Sequence, residues 1–210
     1  MPLARLTARA EVIPGLDQTK QNKSTRRQFT DSMKSIAPLI LATAFLIIDT
    51  DLRAEELKLT SENTTIKFIG SKKDGKHEGS FKKIAGTITS DGDAAKTQVQ
   101  VAIDIDSITT DTPKLTAHLK SPDFFDAKRF AEAKFVSKGI KAEGYGHLVN
   151  GELTMHGVTH PISFPAKVIE ANGGKTISCE FDLNRQEWGI SYGKGKVDDL
   201  VKMTIEVRVK

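Results

Sequence analysis

The chain contains one cysteine, Cys179, so it cannot form an internal disulfide. Its longest uncharged apolar run, residues 36–48, has 13 residues, whereas a helix that crosses a bilayer needs about 20. A nucleophile elbow, a glycine-rich phosphate loop and a zincin motif are also missing from the sequence. These absences exclude a disulfide-stapled fold, argue against a membrane-spanning helix and remove the enzyme classes that such motifs define.

The apolar run has the context of an export signal. A polar, basic stretch precedes it and the small residue Ala54 follows it, which is the pattern of a cleaved signal peptide. We expect cleavage after Ala54 and a periplasmic or otherwise exported protein. Met33 is an alternative start, and residues 25–29 (TRRQF) resemble a twin-arginine motif, so the export route stays open. A buried core helix or an uncleaved anchor is the competing interpretation.

The predicted cleavage divides the chain into a signal segment, residues 1–54, and a domain of residues 55–210. Of the 31 basic and 27 acidic residues, 8 and 5 lie in the signal segment, which leaves 23 and 22 in the domain. The domain is therefore nearly neutral, and the isoelectric point of 9.0 mainly reflects the signal segment. Because nucleic-acid binding needs a basic patch on the folded domain, we expect no nucleic-acid partner.

Alternation of apolar and polar residues dominates the domain and predicts half-buried β-strands. At the C-terminus, for example, Met203, Ile205, Val207 and Val209 share one face. The alternation is clear at 98–106, 162–169, 177–183 and 202–210, and weaker at 64–69, 81–89, 134–142 and 146–154.

These segments predict an all-β fold of eight antiparallel strands with one short helix. The helix is expected to begin at Pro113, with Asp111 or Thr112 as its cap, and to end before Pro122. Eight strands that are apolar on one side must bring those sides together, either in a closed barrel or in a two-sheet sandwich. An eight-stranded barrel has an interior that side chains fill or that one small ligand occupies. Alternation alone does not choose between the two.

Four segments, in this order, resemble the YceI-like family of lipid-binding proteins. The resemblance covers residues 57–210 and implies a lipocalin-like barrel that holds a long isoprenoid or another apolar chain in an exported compartment. Family members often carry Arg-Asp-x-His-Leu where this chain has LTAHL at 115–119, which puts the contact to the head of the ligand in doubt. The four segments are 77–86 (HEGSFKKIAG), 107–110 with 117–126 (SITT and AHLKSPDFFD), 151–161 (GELTMHGVTHP) and 184–193 (NRQEWGISYG).

The predicted function is binding, sequestration or transport of an apolar isoprenoid lipid, quinone-like or polyprenyl-like, inside the barrel. We expect no catalysed reaction and no cofactor other than the bound lipid. The expected partners are that lipid and, transiently, a membrane that exchanges it; a homodimer stays open. A packed core is the competing interpretation of the lining residues. The predicted ligand-binding residues are Ile66, Phe68, Val101, Ile103, His118, Phe124, Phe125, Phe135, Leu153, Met155, Phe164, Phe181 and Ile205.

The alternative function is a metal-dependent or acid–base enzyme that uses His118, His156 and His160. His156 and His160 stand four residues apart, which would suit a metal site on a helix. Gly157 and Pro161 argue against a helix, so we expect a turn that the side chains of His156 and Thr159 fix by hydrogen bonds.

Two other residues have structural interpretations. Cys179 lies at an inward strand position, so we expect a buried thiol with a raised pKa and little reactivity. Trp188 is expected to stack on Arg185, to close one end of the barrel or to fill the core. His77, like His118, is expected at the mouth of the barrel or on the solvated surface.

Overall fold

The computed structural model describes residues 54–171 and 173–209 of the chain. Apart from Ala54, the predicted signal segment lies outside these residues and stays a prediction. Within the described ranges no helix is long and apolar enough to span a membrane. The same ranges form one α-helix, α1 (Pro113–Lys120), and eleven strands: β1 (Glu55–Thr60), β2 (Thr64–Lys72), β3 (Gly75–Phe81), β4 (Ile84–Ser90), β5 (Gln98–Asp104), β6 (Ile108–Thr110), β7 (Glu132–Glu143), β8 (Gly146–Met155), β9 (Val158–Ala171), β10 (Gly174–Asn184) and β11 (Leu200–Val209).

The strands form one curled antiparallel sheet. Their order is β1-β4-β5-β7-β8-β9-β10-β11-β2-β3-β6. The register places inward apolar residues opposite one another, as with Ile66 and Ile205 across β2 and β11 or Val101 and Phe135 across β5 and β7. The all-β fold with one short helix is therefore confirmed.

The strand count of eight is wrong, because three extended stretches are interrupted. At these breaks, backbone N–H groups donate to serine hydroxyls instead of to the backbone of a paired strand. The Ser107 hydroxyl accepts hydrogen bonds from the backbone N–H groups of Lys82 and Lys83 at 3.1 and 3.0 Å, between β3 and β4. Ser107 itself lies in the 3-10 turn between β5 and β6. Ser61, between β1 and β2, accepts from the Ile84 N–H at 3.0 Å.

The helix begins and ends where the sequence predicts. The Thr112 hydroxyl accepts from the Leu115 N–H at 3.3 Å, and Pro113 occupies the first turn. Ser121 ends the helix directly before Pro122. Of the helix residues only Leu119 is fully buried, so α1 covers a limited part of the sheet's apolar face.

Two groups of buried apolar residues form the core. The helix-side cluster includes Ile105, Ile108, Leu119, Phe124, Ala127, Ala133, Met155, Trp188 and Ile190. The sheet cluster consists of Phe135, Ile140, Val149, Phe164, Ala166 and Cys179. Leu153 and Ile162 pack against both clusters, so they connect the two halves of the interior.

The 3-10 turn Arg185–Trp188 anchors the loop that leads to β11. Trp188 is 0% exposed and its indole N–H donates to the Leu153 carbonyl at 2.9 Å, so it fills the core. Arg185 is only 5% exposed. Its guanidinium donates to the carbonyls of Ile190, Tyr192, Val197 and Asp198 at 2.7 to 3.0 Å, and it contacts the Asp199 carboxylate at 3.4 Å. One buried cation therefore holds the whole 190–199 loop.

Replacement of Arg185 by methionine is expected to lower the free energy of unfolding by about 3 kcal/mol. The substitution keeps the aliphatic stem but leaves several carbonyls without their charged donor. Urea denaturation measures the loss. The control is Arg208→Met on the exposed side of β11, where we expect a change within about 0.5 kcal/mol. Equal losses in the two variants would contradict the structural role of Arg185.

Candidate functional site

Two cavities lie within the curled sheet. Cavity A has a volume of about 360 Å³ and cavity B about 300 Å³. Inward residues of the strands form cavity A, while α1, the 121–126 segment and the 190–199 loop contribute to cavity B. Both volumes lie within the range of small-molecule sites, which is about 300–1,000 Å³.

All thirteen predicted ligand-binding residues lie on a cavity wall. Their role in binding a ligand stays a prediction. Six line only cavity A, five line only cavity B, and Ile103 and Leu153 line both. The cavity A residues are Ile66, Val101, Phe135, Phe164, Phe181 and Ile205, and the cavity B residues are Phe68, His118, Phe124, Phe125 and Met155.

The wall of cavity A is apolar and rich in aromatic rings. Phe164 stacks on Phe181 with 4.7 Å between ring centroids, and Phe135 packs against Phe164 at 5.4 Å. Gly151, from one of the family-like segments, leaves room for this group, because a Cβ there would overlap the Phe135 ring. The few polar side chains on this wall are Thr64, Ser90, Thr97 and His147. Such a surface can bury an apolar chain, but it offers few hydrogen-bonding partners to a polar one.

Cavity B carries polar groups as well as aromatic rings. His118 lies 3.1 Å from the Asp123 carboxylate and packs edge-on against Phe124 and Tyr192, with centroids 4.9 and 4.7 Å away. His77 lies 3.0 Å from an Asp111 carboxylate oxygen. Lys72 also lines this cavity. Cavity B therefore offers hydrogen-bonding groups that the wall of cavity A largely lacks.

Phe124 and Phe125 both face cavity B. Phe124 is buried in the helix-side cluster, whereas Phe125 is half-buried and meets the Phe81 ring edge-on at 6.3 Å. The pair thus covers this end of the interior from the irregular segment after α1.

The three histidines of the alternative function do not form a metal site. His156 lies in the predicted turn, with φ of 51°, and its Nδ1 is 3.0 Å from the Trp188 carbonyl oxygen. His160 packs edge-on against Trp188 at 5.6 Å. Among the described residues no group of three or more His, Cys, Asp or Glu side chains is arranged to hold a metal ion. The turn that the sequence predicts is confirmed, and His156 has a structural role in it.

The thirteen predicted residues omit many others of the cavity walls, and three of the omitted ones contribute to both cavities or to the aromatic group at His118. Leu183 and Met203 line both cavities, and their alternation with Phe181 and Ile205 was a signal that could have found them. Tyr192 completes the aromatic group around His118. It lies in a turn-forming segment, residues 192–195, where no periodicity points inward.

Comparison with known proteins identifies related chains. The family model of the YceI-like domain matches residues 57–209 of this chain. A UPF0312 protein of Photorhabdus laumondii is 38% identical over 92 residues, which are 43% of this chain and 48% of that protein, so the match spans about half of the relative's length.

Two solved structures share the fold. BcnA of Burkholderia cenocepacia superposes with a TM-score of 0.65 at 24% identity, covering 70% of this chain and 96% of BcnA. A polyisoprenoid binding domain from Saccharophagus degradans, implicated in plant cell wall breakdown, gives a TM-score of 0.59 at 14% identity over 75% of this chain and 99% of the domain.

The thiol of Cys179 provides a pH test of the apolar interior. Burial in the wall of cavity A raises the pKa of this thiol from its ordinary value of 9.0 to about 11. The unfolded chain therefore releases this proton at a lower pH than the folded chain, and stability falls as the pH rises above 9.0.

Between about pH 8 and about pH 10 this effect should cost about 1 kcal/mol. Urea denaturation of the wild type and of Cys179→Ala at the two pH values measures it. We expect the wild type to lose more stability over this interval than the variant. Identical losses would show that the thiol is accessible to water.

Proposed function

The chain belongs to the YceI-like family, and from this membership we propose that it holds an apolar isoprenoid lipid, quinone-like or polyprenyl-like, inside its curled sheet. The observation that carries the proposal is the pair of adjoining cavities with largely apolar walls. Burial of each CH₂ group of a ligand contributes about 0.8 kcal/mol. A long apolar chain within these walls therefore needs few polar contacts for tight binding.

Continuity of the chain supports a closed, lipocalin-like barrel of eight segments. β1 continues into β2, β3 into β4 and β5 into β6, each after two or three residues. If each of these pairs is counted as one segment, all eight segments have two hydrogen-bonded neighbours. The combined segment of β3 and β4 pairs with the other two combined segments, β5 also pairs with β7, and β2 also pairs with β11. The strands from β7 to β11 pair in chain order. A sheet connected in this way leaves an interior that a ligand can occupy.

The chemistry of the two cavities supports an amphipathic prenyl lipid. The apolar wall of cavity A suits the isoprenoid chain, and the side chains of Lys72, His77 and His118 at cavity B suit a polar head. The Saccharophagus domain with this fold is described as polyisoprenoid binding, and we extend that ligand class to this chain as part of the proposal. If the Arg-Asp pair of relatives orients the head of their ligand, that contact is absent or replaced here, because Leu115 and Thr116 carry no charge.

The arrangement of the titratable groups favours binding over catalysis. His118 and His77 are each paired with a carboxylate, and His156 is held by the Trp188 carbonyl. A metal-dependent or acid–base enzyme would need such groups to converge on one substrate position. The cavity walls instead present mostly hydrocarbon, so the enzymatic alternative is not favoured.

We further propose that the protein acts outside the cytoplasm as a carrier. Residues 1–54 would direct export, and residues 55–210 would form the mature lipid-binding domain. Loading and unloading would require transient contact with a membrane, which is where prenyl lipids reside. A homodimer stays open as an alternative to a monomeric carrier.

Native mass spectrometry tests the proposed function. The protein is purified without detergent from its own exported compartment, and the bound material is extracted into organic solvent. We expect the mass of residues 55–210 plus a discrete excess that extracts as an isoprenoid lipid. A protein without that excess, which also binds no added prenol, would contradict the proposal.

Two neighbouring residues on β9 provide matched variants. Ala166 is buried in the wall of cavity A, whereas Lys167 is exposed on the outer face. We expect Ala166→Phe to lower the bound lipid by about tenfold, because the ring displaces several buried CH₂ groups of the ligand. Lys167→Phe should leave it unchanged, and thermal unfolding confirms that both variants fold. Equal occupancy in the two variants would place the lipid outside cavity A.

A further inference from the structure

Four side chains line both cavities: Ile103 of β5, Leu153 of β8, Leu183 of β10 and Met203 of β11. We call them the waist. A side chain that contributes to two adjoining cavities lies between them, so the waist is the boundary within the interior. It comes from four strands spread around the curled sheet rather than from one wall.

All four waist residues are only half-buried, although they sit at inward positions of their strands. Their remaining accessible surface faces the cavities. Close packing would bury these aliphatic side chains fully, as it does for Ile105 and Ile108, which are 1% and 0% exposed. The four waist side chains therefore border both cavities and leave free space beside them.

One part of the waist is fixed and another is adaptable. Leu153 packs against both core clusters, and its carbonyl accepts the indole N–H of Trp188 at 2.9 Å. Met203 lies opposite Phe68 and Phe181 in the sheet register. Because methionine is unbranched and has three rotatable side-chain bonds, it can adjust to a chain that passes beside it.

We propose that the waist determines which lipids this protein accepts, by admitting one flexible chain from cavity B into cavity A and excluding rigid fused-ring lipids. This inference rests on the proposed function. A ligand short enough for one cavity gains nothing from the other, so only a chain that crosses the waist obtains the burial that both cavities offer. Chain length and flexibility, more than head-group chemistry, then set the affinity.

The test compares two substitutions of the same kind on β10. Leu183→Phe adds bulk at the waist, whereas Asp182→Phe adds a ring on the exposed outer face of the same strand, outside both cavities. Dissociation constants are measured for farnesol, geranylgeraniol and solanesol by displacement of a fluorescent fatty acid. The wild type should bind the longer prenols more tightly, since each additional buried CH₂ contributes roughly fourfold in affinity.

Leu183→Phe should weaken solanesol binding by about tenfold or more while changing farnesol binding by less than about threefold. Asp182→Phe should preserve the preference for solanesol over farnesol. A Leu183→Phe protein that keeps the wild-type preference would overturn the inference. A wild type that binds none of the three prenols would instead remove the proposed function, and the inference with it.

Enlarging the waist gives an independent readout if Leu183→Phe fails to fold. Leu183→Ala removes bulk from the boundary and should admit cholesterol, a rigid fused-ring probe. We expect the wild type to bind cholesterol at least about tenfold more weakly than Leu183→Ala does. Cholesterol binding by the wild type as tight as its solanesol binding would show that the waist does not select.

Discussion

The fold depends on one constraint, which is that the apolar face of a large antiparallel sheet must be buried against itself. The described residues provide only α1, eight residues long, to cover that face, and a single residue of it, Leu119, is fully buried. The sheet therefore curls until its inward residues meet across the interior. Side chains pack completely around Trp188 but leave room beside both core clusters, and the two cavities follow from that incomplete filling.

The two ends of the interior differ in polarity because different parts of the chain line them. Cavity A is bounded mainly by strands, whose inward positions are aliphatic or aromatic. Cavity B is lined in part by α1 and by the loop that Arg185 holds. The helix brings the polar residue His118 to the interior, and the loop brings Tyr192. An apolar wall can be built from many combinations of side chains, which fits a fold shared with BcnA at 24% identity.

Periodicity predicted the long strands and most of the inward residues that line cavity A, because inward residues of a curled sheet must alternate. Periodicity did not predict β1, β3 or β6 as separate strands. The breaks beside these strands involve hydrogen bonds to the hydroxyls of Ser61 and Ser107, whose partners are distant in sequence. Periodicity also missed Arg185. Only the folded loop shows that four carbonyls converge on this buried cation. The pattern His-x-x-x-His was correctly interpreted as a turn, because Gly157 and Pro161 do not suit a helix.

The central claim is that the ligand lies inside the sheet, and methyl-labelled NMR tests it most directly. Intermolecular NOEs are recorded between geranylgeraniol and the isoleucine and valine methyl groups. The account predicts NOEs to Ile66, Val101 and Ile205 on the wall of cavity A, and none to Ile169, which is 50% exposed on β9. NOEs to Ile169 without any to the three interior residues would place the lipid on the outer surface and contradict the account.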